Sequence, residues 1–296
     1  MGSFACDLTE HLPNSKDSRT TPETQGKTLW AAPKGTLGAL TKAAVDRAAA
    51  LEGRALELEA QAAAMPPAPS LFSALRTSHV AVIAEIKRAS PSRGEIRSGL
   101  DAEAQATAYR QGGAAAISVL TEPDRFGGSD DDIGAAGRGA ELPILRKDFH
   151  VSVPQLHQAR CLGASAALLI VRALEPSLFA RLLEAARAID LEVVAEVRDI
   201  SELERALEGG AKIIGVNNRN LESLVIERGT AESLIPRIPN RVIAIAESGY
   251  ADRSSIEKVA ASGADAVLIG SFLSASADPR REVERLTGVN RVKRDE

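Results

Sequence analysis

From about residue 80 onward, short β-rich runs alternate with helix-forming segments, and no other feature narrows the possible folds as much. Eight such runs begin near Val80, Ala115, Pro143, Ala166, Glu192, Lys212, Arg241 and Ala266. Clear helical segments follow at 101–111, 154–162, 176–189, 199–208 and 252–262. Asp101 and Asp252 stand where helix caps belong, and Pro154 and Pro176 near first helical positions. Gly163-Ala164, Gly210-Ala211 and Gly263-Ala264 read as helix stops leading into strands. Repeated strand–helix units predict parallel strands joined by right-handed crossovers. Eight units over roughly 210 residues close naturally into a single (β/α)8 TIM barrel of the α/β class. A doubly wound open sheet is the alternative, but no Gly-rich dinucleotide turn follows the first strand.

The segment before the first strand divides in two. Residues 1–34 are polar with little apolar periodicity and read as a disordered arm. From Gly35 to Ala64, Leu37, Leu40, Ala44, Ala48 and Leu51 recur at helical spacing, and Met65-Pro66-Pro67 ends the pattern. A shorter helix from Ser70 to Arg76, with Ser70 as its cap, follows. The barrel unit is therefore expected over 35–290, with extra N-terminal helices over about 35–77.

Composition excludes several classes of function. A net charge of −4 does not suit a nucleic-acid partner. Cys6 and Cys161 are too far apart to suggest a disulfide framework, and the four histidines lack metal-ligand spacing. No apolar run reaches membrane-spanning length, and the N-terminal stretch lacks a secretory pattern, so a cytoplasmic protein is expected.

In a barrel of this kind the active site lies at the carboxyl ends of the strands. Residues two apart share a strand face, so Glu85 and Lys87 point one way while Ala84 and Ile86 point the other. Taken alone, the pair also fits a frayed, solvated strand end. The third strand supplies Lys147, the fifth Glu196, and the sixth Asn217 and Arg219. The seventh supplies Glu247, Ser248 and Gly249, and the eighth Gly270 and Ser271. Singly, each has a bland alternative: Lys147 in a solvated loop, Asn217 in a turn, Arg219 paired with Glu222. Six strand ends carrying such groups argue together for one site.

Ser248-Gly249 and Gly270-Ser271 fall where many barrels hold a phosphate, so a phosphorylated small-molecule substrate is expected. Two lysines and several glutamates, with no metal set and no nucleophilic cysteine, favour general acid–base chemistry on a carbonyl or enamine. Crowded lysines tend toward lowered pKa values, which suits proton donation near neutrality. A Schiff-base lysine is the competing chemistry.

At these residues the chain resembles indole-3-glycerol-phosphate synthase, a (β/α)8 enzyme of tryptophan biosynthesis. The resemblance covers about residues 36–287. It rests on Glu85-Ile-Lys87, Ser90-Pro-Ser92, Leu120-Thr-Glu with Phe126, Leu145-Arg-Lys147-Asp-Phe149, Glu196, Asn217-Asn-Arg219-Asn-Leu221, Glu247-Ser248-Gly249 and Gly270-Ser271. It implies a carboxyphenylamino-deoxyribulose phosphate substrate, ring closure with loss of carbon dioxide and water, and no cofactor. Lys147 would be the general acid at the ribulose carbonyl, and Glu196 the general base of the dehydration. Lys87 would hold the carboxylate or phosphate side and is a further candidate acid. Glu85 and Asn217 would orient these groups. Ser90, Ser248, Gly249, Gly270 and Ser271 would lie on the phosphate side. Phe126, Phe149, Leu168, Leu221 and Leu268 would wall the anthranilate ring, with Arg219 on its flank and Glu247 also binding substrate. Other tryptophan-pathway enzymes are the partners the resemblance suggests.

Two stretches depart from the family pattern. After Phe149 the chain reads His150-Val-Ser-Val-Pro154, which puts the mobility of the loop beside Lys147 in question. Arg198, expected on the same face as Glu196, would add a cation that weakens that base. The other readings are a different phosphate-binding barrel, such as an isomerase of phosphoribosyl compounds, and a non-catalytic phosphate-binding barrel.

Overall fold

The computed structural model describes residues 30–294. The expectation of an arm over 1–34 therefore lies outside the described residues as far as residue 29.

Eight parallel strands close into a barrel. They are β1 (Ala81–Ile86), β2 (Ala116–Leu120), β3 (Ile144–Lys147) and β4 (Ala166–Ile170), then β5 (Glu192–Val197), β6 (Ile213–Asn217), β7 (Ile243–Glu247) and β8 (Ala266–Ile269). Each pairs with its sequence neighbours, and β1 pairs with both β2 and β8, which closes the ring. The fold is the expected (β/α)8 barrel.

Period-2 alternation sorts the strand residues into two cores. Ala81, Ile83, Ala116, Leu145, Ala166, Leu168, Val194, Ile213, Ile245 and Leu268 belong to the interior cluster. Their neighbours Val82, Ala84, Ile117, Ile144, Leu169, Ala195, Ile214 and Val267 pack outward against the helices. The interior set is small and aliphatic, which lets charged side chains occupy the top of the same inward-facing rows.

The helix punctuation behaves as its chemistry demands. Asp101 accepts from the backbone N–H groups of Glu103 and Ala104, and Asp252 from that of Ser255. Pro154 and Pro176 lie in the first turns of Val153–Cys161 and Pro176–Ala188. Gly163, Gly210 and Gly263 adopt φ of +93°, +75° and +90°, left-handed values that an L side chain rarely tolerates.

The single helix expected from Gly35 to Ala64 is instead two. α1 (Gly35–Ala49) and α2 (Ala55–Ala64) are separated by a 3-10 turn at Glu52–Arg54. The break serves burial: Leu37, Leu40 and Ala44 join the interior cluster at the barrel mouth, whereas Ala62 joins the outer one. One straight helix could not reach both. α3 (Leu71–Leu75) follows, with Ser70 capping Ser73 as expected. Before α1, Ala31 O accepts from Arg172 at 2.6 Å and the Lys34 N–H meets Glu222 at 3.1 Å.

At the opposite end of the barrel the C-terminal segment forms a clasp. The Val80 N–H donates to Val289 O at 2.8 Å. Arg294, 5 % exposed, donates to Ile238 O, Val242 O and Asp265, while Arg291 holds the other oxygen of Asp265 at 2.7 Å. No helix among the described residues is long and apolar enough to cross a membrane.

Candidate active site

A cavity of about 270 Å³ opens at the carboxyl ends of the strands. Every residue singled out as catalytic, substrate-binding or phosphate-side lines it, so the fold brings all of them together. α1 contributes Thr36 and Leu40 to the wall.

Two lysine–carboxylate clusters form the floor. Lys147, at the end of β3, places Nζ 2.9 Å from Glu196 Oε2 and 3.0 Å from Glu247 Oε2. Asn217 Nδ2 donates to the other oxygen of Glu196 at 3.1 Å, and Asn217 Oδ1 accepts from the Arg219 N–H at 2.9 Å. Lys87 Nζ lies 2.6 Å from Glu85 Oε1, with Ser118 Oγ 3.4 Å from Glu85 Oε2. Glu85, Glu196 and Glu247 are each at most 3 % exposed, which rules out the solvated-strand-end reading. Buried charges of this kind persist only when paired and hydrogen-bonded.

The expectation of a lowered lysine pKa is overturned at Lys147. Burial does pull its ammonium toward deprotonation, but Glu196, Glu247 and Glu85 outweigh burial and hold the pKa well above the ordinary value. Carboxylates from three strands surround the amine, so lysine–lysine repulsion does not set its charge. Glu247 shows the converse: burial lifts it, Lys147 pulls it back, and neighbouring Glu196 and Glu85 lift it again, to about 7.

The backbone ahead of Lys87 is fixed from outside the barrel. Ser274 Oγ donates to Glu85 O at 2.9 Å and accepts from the Lys87 N–H at 3.2 Å, and buried Tyr109 donates to Glu85 O at 3.1 Å. Ser118 and Ser274 were missed in the sequence, where a lone serine carries no signal. Gly215, also missed, did carry one: a glycine inside an apolar strand marks a close approach.

On the side expected to hold the phosphate, Ser248 and Gly249 have φ of +67° and +95°. Ser90 is 8 % exposed, and its Oγ has no hydrogen-bond partner among the described residues. Arg93, Arg219 and Arg228 also line the cavity; burial first, and then Arg93, lowers the Arg219 pKa. Arg219 donates to Leu224 O at 2.9 Å, while Glu222 pairs with Arg172 at 2.8 Å, so the expected Arg219–Glu222 alternative does not form. On the apolar side, Phe126 and Phe149 have ring centroids 6.4 Å apart and tilted by 38°.

The loop after Lys147 is pinned. Gln155 Oε1 accepts from the N–H groups of Val151 and Ser152 at 2.8 and 3.1 Å. His150 is buried, with Nδ1 2.9 Å from Leu168 O; burial and nearby Arg146 lower its pKa to about 4, so the ring is neutral. Arg198 pairs with Glu227 at 2.8 Å, which neutralises the cation expected to weaken Glu196.

Fold and site together define a (β/α)8 enzyme with a buried cluster of lysines and glutamates on the floor of a cavity at the carboxyl ends of its strands. The indole-3-glycerol phosphate synthase family model matches residues 38–286, and the chain belongs to that family. An indole-3-glycerol phosphate synthase of Rhodococcus jostii (strain RHA1) is 46% identical over 229 residues, covering 77% of this chain and 85% of the relative. One from Streptomyces griseus subsp. griseus is 46% identical over 230 residues, covering 78% and 86%. Among solved structures, thiamine phosphate pyrophosphorylase from Pyrococcus furiosus aligns with a TM-score of 0.52 at 17% identity, over 73% of this chain and 96% of that one. That likeness shows the barrel fold alone.

Proposed function

We infer that the chain catalyses the ring closure of 1-(2-carboxyphenylamino)-1-deoxyribulose 5-phosphate to indole-3-glycerol phosphate, with loss of carbon dioxide and water. The chemistry is that of a carboxy-lyase of tryptophan biosynthesis, a reaction we place in the cytoplasm beside the other enzymes of the pathway. The observation that carries the division of roles is Lys147, held between Glu196 and Glu247 on the cavity floor.

The phosphate is assigned to Ser248, Gly249, Gly270 and Ser271, and Ser90 offers a free hydroxyl to a substrate oxygen on that side. Phe126, Phe149, Leu168, Leu221 and Leu268 take the aryl ring, with Arg219 at its flank. The aryl carbon bearing the carboxylate attacks the C2′ carbonyl, and Lys147 donates a proton to the oxygen as charge develops there. Carbon dioxide then leaves that carbon, and its bonding pair remains in the ring system. Glu196 removes a proton in the final step, and Lys87 protonates the departing hydroxyl, which leaves as water. Glu85 and Asn217 orient Lys87 and Glu196, respectively.

A lysine held firmly as an ammonium is a donor and not a nucleophile, which weighs against Schiff-base chemistry. Indole fluorescence after mixing protein and substrate tests the reading. Appearance of the product with equimolar carbon dioxide supports it, and tight substrate binding without product contradicts it.

A further inference from the structure

Gly215 stands third in β6, in an inward-facing position between Ile213 and Asn217. Its backbone is extended, outside the left-handed region, so chain conformation does not require a glycine there. What requires it is space. A Cβ at this position would overlap Glu247 Oε1 and would lie 3.2 Å from Val194 Cγ1 on the neighbouring strand, so an added methyl fits only if the Glu247 carboxylate moves. Glu247 Oε1 is buried with no hydrogen-bond partner among the described residues. Hydrogen bonds therefore do not hold that end of the carboxylate; packing does. A second inward glycine, Gly270, stands in the same relation to Glu85 Oε1, and a Cβ there would come within 2.8 Å of Lys87 Nζ.

We propose that Gly215 is a positioning residue for catalysis: the space left by its missing side chain seats the Glu247 carboxylate so that Oε2 faces Lys147. The glycine acts only through Glu247 and touches no substrate. This inference rests on the roles given above to Lys147 and its carboxylates, and it adds the residue that determines where one of them lies.

An added methyl at 215 pushes the carboxylate off Lys147 toward the open cavity. Misplacement on the scale of 1 Å can cost about 10²-fold in rate, and that is the loss in kcat expected for Gly215→Ala, with KM changed by less than about threefold. The displaced carboxyl leaves the burial, the largest cause of its raised pKa, and the Glu196 and Glu85 charges that also raise it; these outweigh the lost pull of Lys147, so an ionisation near 7 in the kcat profile moves to lower pH. A purely structural glycine would not move that limb.

The decisive experiment is a double-mutant cycle. Glu247→Asp shortens the side chain by one methylene and vacates the space a Cβ at 215 needs. Adding Gly215→Ala to Glu247→Asp is then expected to cost less than about threefold, against about 10²-fold in the parent background. Independent, multiplying losses would overturn the proposal, as would parent-like kcat and pH profile in Gly215→Ala. If Gly215→Ala fails to fold, Glu247→Ala in the same chain is expected to restore folding; continued failure would show that the glycine serves the backbone and would also overturn it. A Lys147→Ala control separates the two levels. Full activity in that control sinks the reading of the site, whereas an inactive control beside a parent-like Gly215→Ala sinks only the role of Gly215.

Discussion

Arg47 Nη2 lies 2.8 Å from Asp148 Oδ1, so the helix that precedes the barrel grips the residue next to Lys147. Asp148 is 4 % exposed and also accepts from Thr121 Oγ1 at 2.7 Å and from the Phe149 N–H at 2.7 Å. Removing the guanidinium leaves a buried carboxylate short of one cation. With Arg47 itself partly exposed, Arg47→Ala is expected to destabilise the fold by about 1–3 kcal/mol and to lower kcat, because the loop beside Lys147 loses an anchor. Urea denaturation and steady-state kinetics check this; unchanged stability and turnover would show that the contact is incidental.

Ser90 is expected to behave in the opposite way. Its buried hydroxyl has no partner among the described residues, so Ser90→Ala removes no internal hydrogen bond and relieves a desolvated donor. Thermal stability should hold or rise while KM rises about 5- to 10-fold, the loss of one hydrogen bond to substrate. A lowered melting temperature with unchanged KM would place the hydroxyl in the structure and not at the substrate.

Glu202 gives a pH test away from catalysis. Burial, followed by the nearby Asp199 charge, raises its pKa from an ordinary carboxylate value to about 7, although it accepts from the Arg198 N–H at 2.7 Å. A carboxyl with a raised folded-state pKa favours the fold below its unfolded value, and that contribution is lost as pH rises through about 7. Glu202→Gln keeps an acceptor without the charge, so it should stabilise the protein at pH 8 by up to about 3 kcal/mol and far less at pH 4.5. Equal effects at both pH values would show that Glu202 does not titrate across this range.

The C-terminal clasp is a stability element remote from the chemistry. Arg294→Ala strips Asp265 of a cation at 2.9 Å and leaves the carbonyls of Ile238 and Val242 without that donor. A cost of about 3 kcal/mol or more is expected, with KM unchanged for the fraction that stays folded. Chemical denaturation measures the first and kinetics well below the transition measures the second; a loss of under about 0.5 kcal/mol would mean that Arg291 alone satisfies Asp265.

Much of this molecule was legible in its sequence. Strand-to-helix punctuation reports local events, and caps such as Asp101 and stops such as Gly163 act locally wherever they sit. Period-2 alternation likewise puts Glu85 and Ala84 on opposite faces of the first strand, and Ala84 packs outward against the helices. What escaped were quantities set by several strands at once. The charge environment of Lys147 depends on carboxylates from β1, β5 and β7, so neighbouring residues in the chain could not reveal its direction. The break between α1 and α2 is set by the two surfaces those helices cover. The catalytic and binding roles of the site residues came from the family resemblance, because spacing identifies strand ends and not proton transfers.

Single-turnover kinetics on Lys147→Ala, with substrate binding measured separately, decides whether Lys147 is the acid of ring closure. A fall in the chemical rate of about 10³-fold or more is expected, with substrate affinity changed by less than about fivefold. A chemical rate within threefold of the parent would contradict it and pass the role of acid to Lys87.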